Sequence, residues 1–148
     1  MQGPKLRTIL LAEDNIHDAE LTLEALSSHR LVNKVVLVRD GAEALDYLMR
    51  RGVFADRPPG NPALVLLDLK MPKVDGLEVL RRIREDSTLR TVPVVMLTSS
   101  AEESDVVRSY DLGVNAYVVK PVQFAAFIEA VRSIGAFWAV LNEPPPSC

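Results

Sequence analysis

The sequence predicts an α/β fold: a doubly wound, five-stranded parallel sheet with helices on both faces. Two observations predict it. Short runs rich in Val, Ile and Leu recur five times, separated by stretches whose apolar residues fall at helical spacing. The runs are continuous rather than alternating, the pattern of strands buried on both faces. Strand–helix alternation leads to parallel strands joined by right-handed crossovers.

The apolar runs are Thr8–Ala12, Lys34–Val38, Ala63–Leu67, Val94–Leu97 and Ala116–Val119. The first helical stretch, Asp18–Ser28, gathers Ala19, Leu23 and Leu26 on one face, with Asn15 or Asp18 as its cap. Ala42–Arg51 follows Asp40-Gly41 and groups Ala42, Leu45 and Leu48. Asp75–Arg84 presents Leu77, Leu80 and Ile83 with Val79 beside them, before the polar break Glu85-Asp86-Ser87. Glu102–Leu112 has fewer large apolar residues and stops at Gly113. Gln123–Asn142 is the longest and most apolar stretch. The Pro-rich segments 57–62 and 144–146 read as a loop and a tail.

Composition narrows the function classes. A chain of 148 residues, 48% hydrophobic and 25% charged, fits one globular domain. A net charge of −3 argues against general nucleic-acid affinity, which needs a basic stripe. No apolar run approaches the roughly 18 residues of a membrane span, and the N-terminal MQGPKLR has no signal-peptide core. Cys148 is the only cysteine, which excludes a disulfide framework, and His17 and His29 are too far apart for a helical metal pair. The expected location is the cytoplasm, with no membrane partner.

In doubly wound sheets, function gathers outside the carboxyl ends of the strands. There the first strand ends in Glu13-Asp14, the third in Asp68, the fourth in Thr98-Ser99 and the fifth in Lys120-Pro121. Any one of these residues could be a helix cap or a strand-end polar group; their coincidence at four strand ends is harder to dismiss. Three carboxylates packed together repel, so one should hold its proton above the ordinary carboxylate range unless a cation intervenes. Magnesium suits such oxygen donors. Glu13, Asp14 and Asp68 would supply the acids, with the backbone carbonyl of Lys70 nearby. Asp68 could then act as a nucleophile toward phosphorus, giving an aspartyl phosphate. Lys120 would offset charge on the transferring oxygens, and Thr98 would donate a hydroxyl hydrogen bond to them.

The segments LLAEDN (Leu10–Asn15), LLDLKMPKVDG (Leu66–Gly76), VVMLTSS (Val94–Ser100) and YVVKP (Tyr117–Pro121) resemble, in order and spacing, those of response-regulator receiver domains of two-component signalling. The resemblance runs from about Leu6 to the end of the chain. It implies a flavodoxin-like sheet of strand order 2-1-3-4-5 and a single receiver domain over 1–148, with a helix extension and Pro-rich tail at about 136–148. It implies that Asp68 accepts a phosphoryl group from a sensor histidine kinase and that Glu13 and Asp14 hold Mg2+. Thr98 and Tyr117 become the switch pair, and Lys120 pairs with the phosphoryl group before a cis Lys120–Pro121 peptide. Lys70 and Ser100 stand at the positions that tune phosphoryl lifetime. Neither offers a carboxylate or amide to orient water, so the expectation is slow autodephosphorylation.

Only six residues follow Asn142, too few for an output domain, so the expected action is through protein–protein contact or phosphorelay. In the last stretch Phe124, Phe127, Ile128, Val131, Ile134 and Trp138 share a stripe, while Phe137 and Val140 fall off it. Apolar residues around most of a terminal helix suggest that a partner covers it. The ending GAFWAVLNEPPP and the long loop Gly52–Pro62 resemble regulators paired with bacteriophytochrome-type histidine kinases. That implies a homodimer on the fourth and fifth helices, the fifth strand and the C-terminal arm, using Phe137, Trp138, Val140 and Leu141. Two alternatives stand: a receiver-like module that binds partners without phosphorylation, and a Mg2+-dependent phosphatase. The phosphatase would need an acid two residues after its nucleophile, where this chain has Lys70.

Overall fold

A computed structural model describes residues 8–27, 34–99 and 111–133. Its elements are β1 (Ile9–Ala12), α1 (Ile16–Ser27), β2 (Val35–Val38), α2 (Gly41–Met49), a 3-10 turn (Gly52–Phe54), β3 (Leu64–Asp68), α3 (Gly76–Glu85), β4 (Val94–Thr98), β5 (Ala116–Val119) and α4 (Phe124–Ser133). All strand pairs are parallel, in the order β2-β1-β3-β4-β5. This is the doubly wound, flavodoxin-like sheet expected from the sequence. Most of the stretch 102–112, and everything after Ser133, lies outside the described residues.

Alternation along each strand divides the core in two. Leu10, Ala12, Val65, Leu67, Val94 and Met96 face α2 and α3, packing with Leu45, Leu48, Leu77, Leu80 and Ile83. Ile9, Leu11, Leu64, Leu66, Val95 and Leu97 face the opposite way, onto Leu26 of α1 and Phe127 and Val131 of α4. Every residue of β1, β3 and β4 is buried, which is why these segments read as unbroken apolar runs. Among the described residues, no helix is long and apolar enough to cross a membrane.

Local chemistry sets the helix starts. Asn15 is the cap of α1, its Oδ1 accepting from the Asp18 backbone N–H at 3.0 Å, so the helix begins at Ile16 rather than at Asp18. Asp40 caps α2 and Asp75 caps α3, accepting from the N–H groups of Glu43 and Glu78. α2 stops at Met49 because Arg50 turns into the left-handed region, φ 54°. The segment after it is held by Arg57, which donates to the carbonyls of Tyr47, Leu48, Pro58 and Gly60 and lies 4.3 Å over the Tyr47 ring.

Two glycines decide how close the β3–α3 loop comes to its neighbours. A Cβ on Gly76 would sit 2.4 Å from the Asp68 carbonyl oxygen, and one on Gly41 would sit 1.8 Å from that of Val74. Lys73 takes a left-handed backbone, φ 66°, and its ammonium lies 3.4 Å from Asp40. The loop is thus pressed between the starts of α2 and α3, and it determines what stands beside Asp68.

Gly41→Ala must push that loop away or open α2. We expect a loss of about 3 kcal/mol, the upper end of overpacking costs, read as a lower urea midpoint. A loss under about 0.5 kcal/mol, typical of a surface change, would contradict this packing.

Candidate functional site

Backbone hydrogen bonds continue past the strand ends and fix the residues there. Glu13 N–H donates to Val38 at 3.0 Å, Leu69 N–H to Leu97 at 2.9 Å, and Lys120 N–H to Thr98 at 2.7 Å. Ala12 is in register with Leu67, which brings Glu13 beside Asp68. Glu13, Asp68 and Thr98 are buried polar residues in a sheet otherwise lined by apolar ones, whereas Asp14 and Lys70 are exposed. Tyr117 is half-buried on β5, in register with Met96 and packed on the core under α2 and α3. The Lys120–Pro121 peptide is cis. Ser100, Phe137, Trp138, Val140 and Leu141 lie outside the described residues.

Glu13, Asp14 and Asp68 each offer an oxygen within 4.8 Å of the others. The Lys120 ammonium reaches the same place: Nζ donates to Glu13 at 3.0 and 3.3 Å and to Asp18 Oδ2 at 2.9 Å. Asp68 Oδ2 is farther, at 3.5 Å. Asp18 is the residue that sequence reasoning missed in this role, having read it only as a helix cap. The available signal was its place in the first turn of the helix that follows the Glu13-Asp14 strand end.

The electrostatics follow from burial. Loss of solvent pushes the Glu13 carboxyl from its ordinary 4.5 up to about 8; the hydrogen bond with Asp68 adds to the rise and Lys120 opposes it. Burial raises Asp68 as well, against hydrogen bonding from Glu13, the Lys120 charge and a Lys70 backbone hydrogen bond, all of which lower it. Burial thus pushes both carboxyls toward their protonated forms. Burial alone would lower Lys120, but hydrogen bonds to Asp18 and Glu13 outweigh it and hold the ammonium charged. Three clustered carboxylates against the Lys120 ammonium leave excess negative charge, and hard oxygen donors so placed fit a divalent cation.

Beside the acids lies an open groove of about 570 Å³ lined by Asp14, Lys70, Asp75 and the apolar residues of the β3–α3 loop. A larger cavity of about 620 Å³ sits at the opposite edge of the sheet, near Thr8, Tyr47 and Arg57, and among the described residues no carboxylate lines it.

Comparison with known proteins resolves the family. The family model of the response regulator receiver domain matches residues 9–132. The chain is a response regulator receiver. It is 39% identical over 132 residues to response regulator Rcp1 of Synechocystis sp., covering 89% of this chain and 88% of that one. Among solved structures, this receiver is similar to the bacteriophytochrome response regulator AtBRR, with 62% identity and a TM-score of 0.87 over 95% of this chain and all of the other. It is similar also to the bacteriophytochrome response regulator RtBRR, with 64% identity and a TM-score of 0.86, covering 96% of this chain and 86% of that one. The Mn2+-bound form of Rcp1 matches with 37% identity and a TM-score of 0.75 over 95% of this chain and 99% of that one. Receivers of this family are two-component signalling proteins.

The proton on Glu13 links stability to pH in metal-free protein. The folded state keeps a proton that the unfolded chain releases above 4.5, so stability should fall as pH rises from there to about 8. Urea unfolding in EDTA across that interval checks it. Glu13→Gln should flatten the slope; an unchanged slope, or stability rising with pH, would contradict the assignment.

Proposed function

We propose that Asp68 is the phosphoacceptor of a stand-alone response regulator and that it takes its phosphoryl group from a sensor histidine kinase in a Mg2+-dependent reaction. The observation that carries this reading is the meeting of Glu13, Asp14, Asp68 and Lys120 at the carboxyl edge of the sheet. Glu13, Asp14, Asp68 and the Lys70 backbone carbonyl would hold the cation, and Glu13 must release its proton to do so. When bound, Mg2+ supplies positive charge to the phosphoryl oxygens.

The remaining chemistry belongs to the chain. An Asp68 Oδ attacks phosphorus, the oxygen–phosphorus bond forms, and the bond to the donor imidazole breaks. Burial raises the Asp68 carboxyl, while hydrogen bonding from Glu13, the Lys120 ammonium and the Lys70 backbone oppose that rise and favour the charged form that attacks. Lys120 offsets charge on the transferring oxygens, and Thr98, at the end of β4, is placed to donate a hydroxyl hydrogen bond to them. Thr98 and half-buried Tyr117 then form the switch pair. Lys70 and Ser100 lack the groups that orient water, which favours a long-lived phosphoryl group.

Likeness to two solved bacteriophytochrome response regulators supports pairing with a bacteriophytochrome-type kinase in the cytoplasm. Val119 on β5 is a large apolar residue 45% exposed, which favours a homodimer contact at the fifth strand. The expected interface joins it to the fourth and fifth helical stretches and to Phe137, Trp138, Val140 and Leu141.

Intact mass after incubation with a small phosphodonor and Mg2+ tests the central reading. We expect one added phosphoryl group, absent with EDTA and in Asp68→Asn, and lost over minutes or longer once the donor is removed. No gain would favour a module that binds partners without phosphorylation, and decay in seconds would contradict the roles of Lys70 and Ser100. For the dimer, sedimentation should find two copies in the full chain and one after truncation at Gly135. A monomeric full chain, or an unaffected dimer, would exclude the interface.

A further inference from the structure

Lys120 has three N–H groups, and three carboxylate oxygens, two of Glu13 and one of Asp18, already accept from its ammonium. Its ammonium lies 2.9 Å from Asp18, 3.0 Å from Glu13 and 3.5 Å from Asp68. The shorter hydrogen bonds go to Glu13 and Asp18; the ion pair with Asp68 is the longest of the three. To bond an oxygen of a group carried by Asp68, the ammonium has to give up an acceptor. Glu13 is the harder one to leave, since its side chain is fully buried and a buried polar group left without its partner is costly. Asp18 has a side chain 31% exposed, so water can replace the ammonium there. Its place is fixed independently of Lys120, because its backbone N–H is held by the Asn15 cap in the first turn of α1.

We propose that Asp18 is a positioning residue: it holds the Lys120 ammonium toward α1 while Asp68 is unmodified, and Lys120 exchanges Asp18 for a phosphoryl oxygen when Asp68 is phosphorylated. This rests on the reading of Asp68 as phosphoacceptor. In this arrangement Asp18 competes with the phosphoryl group for one N–H, so it opposes the modified state. The plain alternative is an acid in the first turn of α1 that favours the helix dipole and nothing more.

Two measurements on the full chain decide it. The first is a double-mutant cycle of Asp18→Asn and Lys120→Gln, followed by urea unfolding in EDTA. Non-additivity of about threefold in the unfolding constant is expected, within the range of a partly exposed ion pair. Additive effects would overturn the contact. The second is beryllofluoride affinity at saturating Mg2+, followed by fluorine NMR. Asp18→Asn should bind about threefold more tightly than wild type, because a competitor of that strength is gone. Equal or weaker binding would overturn the exchange and leave Asp18 a helix-start acid. If wild type itself takes no beryllofluoride, the phosphoacceptor reading fails and the exchange falls with it. The unfolding cycle still decides the ion pair.

Discussion

The Lys120 ammonium donates to Glu13 from the end of β1 and to Asp18 from α1, with Asp68 of β3 at 3.5 Å, and the arrangement of the site depends on that shared cation. Without it the buried acids would repel and would be protonated together. With it the balance is still unequal: more carboxylate than ammonium converges there, and burial pushes Glu13 and Asp68 toward their protonated forms. A site in that condition is poised to trade a proton for a hard cation. The same burial that makes the acids hold protons would strengthen their interaction with an added charge.

The fold supplies this arrangement through register. β1, β3, β4 and β5 run parallel and end at one edge, and the ladder continues one residue beyond β1, β3 and β5. The residues that follow are therefore fixed by backbone hydrogen bonds rather than by loops. Around them, Gly41 and Gly76 allow α2 and α3 to press on the β3–α3 loop, and this holds Lys70 beside Asp68. At the far edge, Arg84 donates to the carbonyls of Arg90, Val92 and Gly113 and to the side chain of Asn115. Asn115 in turn accepts from Val94, so β4 and β5 are tied together where they begin.

Much of this is legible in the chain. Continuous apolar runs mark the buried strands, and the rule that parallel sheets gather function at their carboxyl ends selects Glu13, Asp14, Asp68, Thr98 and Lys120 from the sequence alone. What the pattern cannot give are contacts between residues distant in sequence. Asp18 and Lys120 are 102 positions apart, and their pairing depends on the start of α1 and the end of β5 meeting at the carboxyl edge of the sheet. Periodicity starts α1 at Asp18, later than its true start at Ile16, because both Asn15 and Asp18 can cap and only the bond between them separates the two. The segment after α2 reads as a plain Pro- and Gly-rich loop; Arg57 organises it by donating to four carbonyls, and no local periodicity reports that. Lys73 in a left-handed conformation is likewise set by its neighbours, since nothing about a lysine favours it.

In the proposed function the buried acid at the end of β3 is the residue that carries phosphate. Borohydride reduction of the phosphodonor-treated protein, followed by peptide sequencing in a mass spectrometer, tests it at the level of the residue. An aspartyl phosphate is reduced to homoserine, so homoserine is expected at position 68 alone, and only where Mg2+ was present. Homoserine at position 14 or 75, or phosphate retained on His17, would place the chemistry elsewhere and contradict it.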